Sequence, residues 1–172
     1  MKKTILLFVF FVLITVGCRK EEPKPQNQPP VGQMRTLDEV RLLEAQVKKD
    51  PANYRAWVDL GNANMDASRF NEAIEAYQKA LSLGPKNVDV IVDLGTCYRG
   101  IGRPDLAVAE YKKAININPN HPNAHRNMAV VLAYDLKDHK QALKEFEIYL
   151  RLAPNAPDVE NIKQEMKKIK TG

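Results

Sequence analysis

The 34 residues Tyr54–Asn87, YRAWVDLGNANMDASRFNEAIEAYQKALSLGPKN, decide the fold, because the chain then writes the same landmarks out again. Over the next 34 residues Ile91 takes the place of Trp57, Leu94 of Leu60, Gly95 of Gly61 and Ala107 of Ala73. Tyr111, Ala114 and Pro119 likewise follow Tyr77, Ala80 and Pro85. A third copy starts at Pro122 and carries one extra residue near its middle. After it, Ala142, Phe146 and Pro154 stand where Ala107, Tyr111 and Pro119 stood. Self-similarity at this period marks stacked supersecondary units, each burying its neighbour's apolar edge.

Each unit reads as two helices. Apolar side chains recur at helical spacing in the first half, as in Trp57 and Leu60 or Ile91, Leu94 and Tyr98. Gly61, Gly95 and Ala129 fall inside that first helix, where glycine costs about 1 kcal/mol relative to alanine. Such a cost predicts close approach of a neighbouring helix, with Ala73, Ala107 and Ala142 supplying its other side. Pro85, Pro119 and Pro154 end the second helix, since proline cannot continue it. Expected helices cover 37–49, 53–66, 70–83, 88–100, 104–117, 122–135 and 139–152. Asn53 and Asn71 stand near helix starts, Gly100 and Gly102 in a bend, and Pro104 in a first turn. The extra residue of the third copy belongs to its bend, 135–139, where an insertion costs little.

The same phase reaches backwards: Val40, Leu43 and Val47 align with Ile74, Tyr77 and Leu81. They predict a solitary second-type helix opening on a capping box, Thr36 with Glu39. At the other end Val159, Ile162, Met166 and Ile169 form an apolar stripe that covers the last unit, as a repeat array requires for solubility. Tyr149, where earlier copies have Ala80 and Ala114, predicts different packing of the last hairpin, with the cap helix against it.

The recurring large apolar residue, Leu-Gly, spaced Ala, aromatic, Ala and Pro resemble the tetratricopeptide repeat (TPR) family. That resemblance implies an all-α, right-handed superhelix of stacked antiparallel hairpins. Its divisions are an N-terminal half-repeat at 36–53, repeats at 54–87, 88–121 and 122–155, and a C-terminal capping helix at 156–172.

Upstream of the repeats, Lys2 and Lys3 precede the apolar run Ile5–Val16, which is too short for a comfortable membrane span but suits a signal-peptide core at 1–17. Thr15-Val16-Gly17-Cys18 resembles a bacterial lipobox, which implies that Cys18 becomes the lipid-carrying N-terminus. Thr15 departs from the usual aliphatic residue. Ordinary secretory cleavage and an uncleaved anchor are the rival readings. Several acyl chains, at about 0.8 kcal/mol per buried methylene, anchor a protein durably. Arg19 rather than Asp after the cysteine resembles enteric lipoproteins sorted to the outer membrane. Residues 18–35, with Pro23, Pro25, Pro29 and Pro30, read as an extended tether able to span about 50 Å.

Composition argues against several functions. The 172 residues hold 26 basic and 21 acidic side chains, a net charge of +5. Much of that excess sits in Lys163, Lys167, Lys168 and Lys170, which complement a helix end rather than form a nucleic-acid stripe. Cys97 occupies a packing position and reads as a buried, inert thiol. A disulfide with Cys18 would require the tether to dock. His121 and His125 are four apart, yet Pro122 separates them, so they read as solvated or half-buried side chains and not as metal ligands. The chain carries no nucleophile elbow, phosphate loop or paired zinc-type cysteines, and no enzyme, cofactor or small-molecule substrate is expected.

Binding is the expected activity. The family resemblance implies that five positions of each first helix face a concave groove: Arg55, Val58, Asn62, Met65 and Asp66 in the first repeat. Asp89, Val92, Thr96, Arg99 and Gly100 follow in the second, and Asn123, Arg126, Val130, Ala133 and Tyr134 in the third. Val58, Met65, Val92, Val130 and Tyr134 would form an apolar strip edged by Asn62, Thr96, Arg99 and Arg126. Such a surface suits a peptide with apolar anchors and some acidic character. Family members that clamp acidic C-terminal tails carry a lysine where Val58 stands and an arginine where Asn127 stands, so that subclass is not expected. The resulting reading is a lipid-anchored, periplasm-facing scaffold that binds a protein or peptide during assembly of outer-membrane or pilus components. The alternative is an accessory factor of c-type cytochrome biogenesis that binds apocytochrome.

Overall fold

The computed structural model describes residues 31–171, with side chains from 37 onward. The signal segment, Cys18 and most of the tether lie outside the described residues. Among the described residues eight α-helices follow in order: α1 (Val31–Lys49), α2 (Tyr54–Asp66), α3 (Phe70–Leu83), α4 (Val88–Gly100), α5 (Pro104–Ile117), α6 (Pro122–Val130), α7 (His139–Leu152) and α8 (Val159–Thr171). They stack as antiparallel pairs, α2 on α3, α4 on α5 and α6 on α7, with α1 against α2 and α8 against α7.

Local chemistry sets the helix starts. Asn53, Asn87 and His121 each stand two residues after a proline and cap α2, α4 and α6. Asn53 Oδ1 accepts from the Ala56 amide at 3.0 Å, Asn87 Oδ1 from Asp89 at 2.9 Å, and His121 Nδ1 from Ala124 at 3.2 Å. Each cap is worth about 1 kcal/mol. Asn71 caps nothing, since α3 has begun one residue earlier at Phe70. Gly100 is the last residue of α4, and of the two glycines Gly102 is the one in the bend. The proposed capping box at Thr36 does not start α1 either: helical backbone already runs from Val31.

At the glycines of the first two hairpins the close approach is made by an aromatic ring and not by an alanine. A methyl group on Gly61 would lie 2.4 Å from the Tyr77 ring, and one on Gly95 would lie 2.6 Å from the Tyr111 ring. Both rings are fully buried. Ala73, Ala107 and Ala142 are also buried, but they are not what the glycines meet. Hydroxyl chemistry follows the ring: Tyr77 donates to Asn62 Oδ1 at 2.7 Å, and Tyr111 bonds Thr96 Oγ1 at 3.2 Å. In the third hairpin Phe146 has no hydroxyl, and the corresponding partner is the apolar Val130.

The extra residue of the third repeat is inside the helix and not in the bend. All three bends have the same length and the same left-handed residue: Ser68 (φ 58°), Gly102 (φ 73°) and Lys137 (φ 59°). In the first two, the Ala67 and Ile101 amides reach back four residues to Ala63 and Cys97. Leu136 must reach back five, to Val131. Likewise Arg69 and Arg103 reach Asn64 and Tyr98, whereas Asp138 reaches one residue further, to Leu132. The surplus is taken up as a π-helical turn, Val131–Asp135, continuing α6.

The capping helix places Ile162 and Met166 in the core and leaves Val159 and Ile169 half-buried. It starts against Tyr149, whose hydroxyl donates to Asp158 at 2.5 Å. Where the repeats carry Leu60, Leu94 and Met128 followed by Gly61, Gly95 and Ala129, α8 carries Lys163 and Gln164, both exposed.

The ring contact makes a prediction whose sign discriminates. Helix propensity alone would make Gly61→Ala stabilising by about 1 kcal/mol. The Tyr77 ring makes it destabilising by about 1–3 kcal/mol through overpacking, to be read from urea unfolding followed by circular dichroism.

Candidate functional site

The first helices α2, α4 and α6 carry the residues that the repeat phase assigns to a groove, and their surroundings vary. Val58, Asn62 and Met65 on α2 are half-buried. Asn62 accepts from Tyr77, and Met65 Sδ lies 3.9 Å from the same hydroxyl. On α4, Thr96 Oγ1 donates to the Val92 carbonyl at 3.1 Å, so its remaining bonds are accepted: from Tyr111, and from Asn127 Nδ2 at 3.4 Å. Val92 is 4% exposed and packs into the core shared with α6, so the apolar strip is interrupted there. Val130 is half-buried against the same core.

Counting past the π-helical turn shifts by one. Ala133 is buried, and Tyr134, 41% exposed, is the last but one residue of its helix, as Met65 and Arg99 are of theirs. The Tyr134 hydroxyl donates to Glu165 on α8. A cavity of about 410 Å³ opens beside it, walled by Phe70, Thr96, Arg99 and Asp135. A cavity of about 630 Å³ lies elsewhere, between the second helices α3 and α5 over Ile91 and Leu94.

The arginines at the edge of the expected groove are paired within the chain. Arg99 Nε bonds Asp135 at 2.6 Å, and Arg126 Nε bonds Asp158 at 2.5 Å. Arg55 spends its charge on Asp59 at 3.0 Å, one turn along its own helix. The Tyr149 hydroxyl, and then the Arg126 guanidinium, hold the Asp158 carboxyl below the usual carboxylate range. Both edge arginines are therefore neutralised within the chain.

Acids on the same helices are not. Asp66 and Asp93 pair with no cation among the described residues, and Asp89 accepts only from His121 Nε2 at 2.9 Å. His121 Nδ1 already accepts the Ala124 amide, so the ring meets Asp89 through an Nε2–H donor. Asp93 is half-buried between them. Burial, then Asp89 and Asp66, push its carboxyl up to about 6, partly offset by the His121 ring. Burial and the nearby Asp93 also push the Tyr77 phenol up, keeping it a donor to Asn62. Asp66 and His121 stand 27 and 28 residues from Asp93 and form no sequence motif with it; they meet because one helix face repeats.

His125 goes to a different place. It is 4% exposed, with Nδ1 2.6 Å from Glu145 Oε2 and Nε2 2.9 Å from the Pro119 carbonyl. Two acceptors face one ring, so a single proton is shared between His125 and Glu145 while Nε2 donates to Pro119. Cys97 is buried and free, and burial, then Asp93, push its thiol up to about 12.

The tetratricopeptide repeat family model matches residues 64–129. No curated protein matches the sequence. Among solved structures, MamA is 21% identical, with 81% of each chain covered and a TM-score of 0.66. The first TPR of Spaghetti (RPAP3), bound to the HSP90 peptide SRMEEVD, is 22% identical. That match covers 68% of this chain and 90% of the other, with a TM-score of 0.62. The Arabidopsis OM64 TPR domain is 19% identical over 67% of this chain and 94% of its own, also at 0.62. The fold is that of stacked tetratricopeptide repeats.

Folding raises the Asp93 carboxyl from the ordinary carboxylate range to about 6. Between these values the folded chain binds the proton more tightly than the unfolded one, so this contribution to stability is full at low pH and disappears as pH rises through 6. Asp93→Asn is accordingly expected to match the parent near pH 4. It should exceed the parent by about 1 kcal/mol at pH 7.5, after allowing for solvent screening. Thermal melts across that range check it.

Proposed function

We propose that this protein is a protein-binding scaffold of the bacterial envelope, tethered by lipid on Cys18, whose face of first helices grips a segment bearing apolar and basic side chains. The single observation that carries the ligand class is the charge pattern. Arg99 and Arg126 are held by Asp135 and Asp158, while among the described residues Asp66 and Asp93 pair with no cation and Asp89 meets only the His121 ring. Opposite charge across an interface steers encounter and fixes register. The half-buried Val58, Met65 and Val130 are the apolar contacts available beside it. The RPAP3 domain supports a short peptide as the type of partner, but its peptide carries three acidic side chains, and here the charge preference reverses.

The tether is supported by Lys2, Lys3, the Ile5–Val16 run and the lipobox-like Thr15-Val16-Gly17-Cys18. In this reading the extended linker holds the repeats away from the bilayer, so the face stays open to a partner assembling in the periplasm. Cys18→Ser should then abolish incorporation of labelled fatty acid and move the protein out of the membrane fraction. Unchanged labelling would sink the lipid anchor without touching the binding claim.

The ligand class has its own test. Fluorescence anisotropy of the detergent-solubilised full chain would compare a leucine–lysine peptide with a leucine–glutamate peptide of the same length. At pH 7.5 and low salt the basic peptide is expected to bind at least about tenfold tighter, a difference of about 1.4 kcal/mol. The margin should narrow below pH 6 as Asp93 takes up its proton, and shrink in Asp66→Asn. A preference for the acidic peptide would overturn the charge assignment.

A further inference from the structure

The outer side of the stack holds a second recognition element, separate from the first-helix face. Between consecutive second helices a hollow lies over the intervening first helix, and two recurring positions govern what fills it. On the first helices these positions hold Trp57, Ile91 and His125, and on the second helices Ala76, Glu110 and Glu145. Over α6 a ring and an acid are both present, with His125 Nδ1 2.6 Å from Glu145 Oε2. Over α2 there is a ring without an acid, and with Trp57 in place a cavity of about 240 Å³ is left. Over α4 there is an acid without a ring, and the cavity between α3 and α5 widens to about 630 Å³.

Ile91 and Leu94 line this wider hollow from α4, Leu81 from α3 and Ile117 from the end of α5. Ile117 is 46% exposed, an apolar side chain left open to it. Glu110, only 9% exposed, is the acid. Of its two oxygens, Oε1 alone has a partner among the described residues, Lys113 Nζ at 2.7 Å. The polar side-chain atoms sealed off without a partner there are the Tyr54 hydroxyl and Asn64 Oδ1, so the second Glu110 oxygen stays open to an entering donor. Buried acceptors are ordinarily satisfied, and the third unit shows what serves at this position: a ring nitrogen. Lys86 also lines the hollow and pairs with no carboxylate among the described residues. The volume falls within the roughly 300–1,000 Å³ of ligand sites and exceeds what an imidazole fills. An indole brings a larger apolar body together with a permanent N–H donor.

We propose that the hollow over α4 receives a tryptophan of a partner protein, flanked there by an acidic residue. The indole takes the place that the Trp57 and His125 rings hold in the units on either side. Its ring lies on Ile91 and Leu94, its N–H donates to the free Glu110 oxygen, and the neighbouring carboxylate meets Lys86.

The probe is acetyl-fluorotryptophyl-aspartate amide, followed by fluorine NMR line broadening on the detergent-solubilised full chain and on the detergent alone. The chain is expected to give saturable broadening that detergent does not, with half-saturation in the millimolar range. The fluorophenylalanine analogue, which has no ring N–H, should bind about fivefold more weakly. Glu110→Ala, the residue the first unit carries, should bring the two probes level, and Lys86→Gln should raise half-saturation about threefold. Ile91→Trp and Ile91→His, which copy the rings of the flanking units, should each abolish binding while retaining the parent's helical circular dichroism. The assignment fails if the tryptophan probe does not saturate, if the parent binds both probes equally, or if Glu110→Ala keeps the preference. Binding that survives in either folded Ile91 variant overturns it as well.

Discussion

A tyrosine ring packed against a backbone with no side chain is the contact on which the stack depends. Tyr77 over Gly61 and Tyr111 over Gly95 set the distance between the two helices of a hairpin, because anything larger than hydrogen at the glycine meets the ring below 3.0 Å. That distance in turn fixes which side chains reach the next unit, so spacing within a hairpin becomes spacing between hairpins. The ring also exports a hydroxyl to the first-helix face, where Asn62 and Thr96 receive it. Core packing and surface chemistry are thus coupled through one residue per repeat. In the third unit both halves change together, Phe146 beneath and Val130 above.

Much of the fold was legible because it is periodic. Helix pairs, the proline stops and the Pro104 start follow from spacing and backbone chemistry that any single copy displays and the others repeat. The insertion was not legible in the same way. Its flanking landmarks, Ala129 and Ala142, bracket both the helix end and the bend, and a loop is ordinarily the cheaper host. Here the bend is the stiffer element, pinned by a left-handed residue and two backbone bonds that recur in all three copies. The helix yields instead by lengthening one hydrogen-bonded ring. Likewise a capping sequence at Thr36 marks a helix start only where the preceding residues are not themselves helical.

The candidate site was legible only as a set of positions. Which helix face it occupies follows from the repeat, but its charge depends on pairings across the stack. Arg99 meets Asp135 and Arg126 meets Asp158, 36 and 32 residues away, so partners come from the next unit along and not from the next turn. Neither distance is one a helical pattern would flag. Val92 shows the same limit for burial: a position that faces outward in an isolated hairpin is closed over when α6 packs beside α4.

The polar pair Lys163 and Gln164 on α8 has a consequence for how such a chain can change in length. Every internal first helix offers a leucine or methionine and a small residue to receive a second helix; the terminal one offers a cation and an amide. A duplicated unit appended after α8 would find no seat. Growth of the array by duplication is therefore seated upstream of α8, with this helix closing the repeat stack whatever the number of units before it.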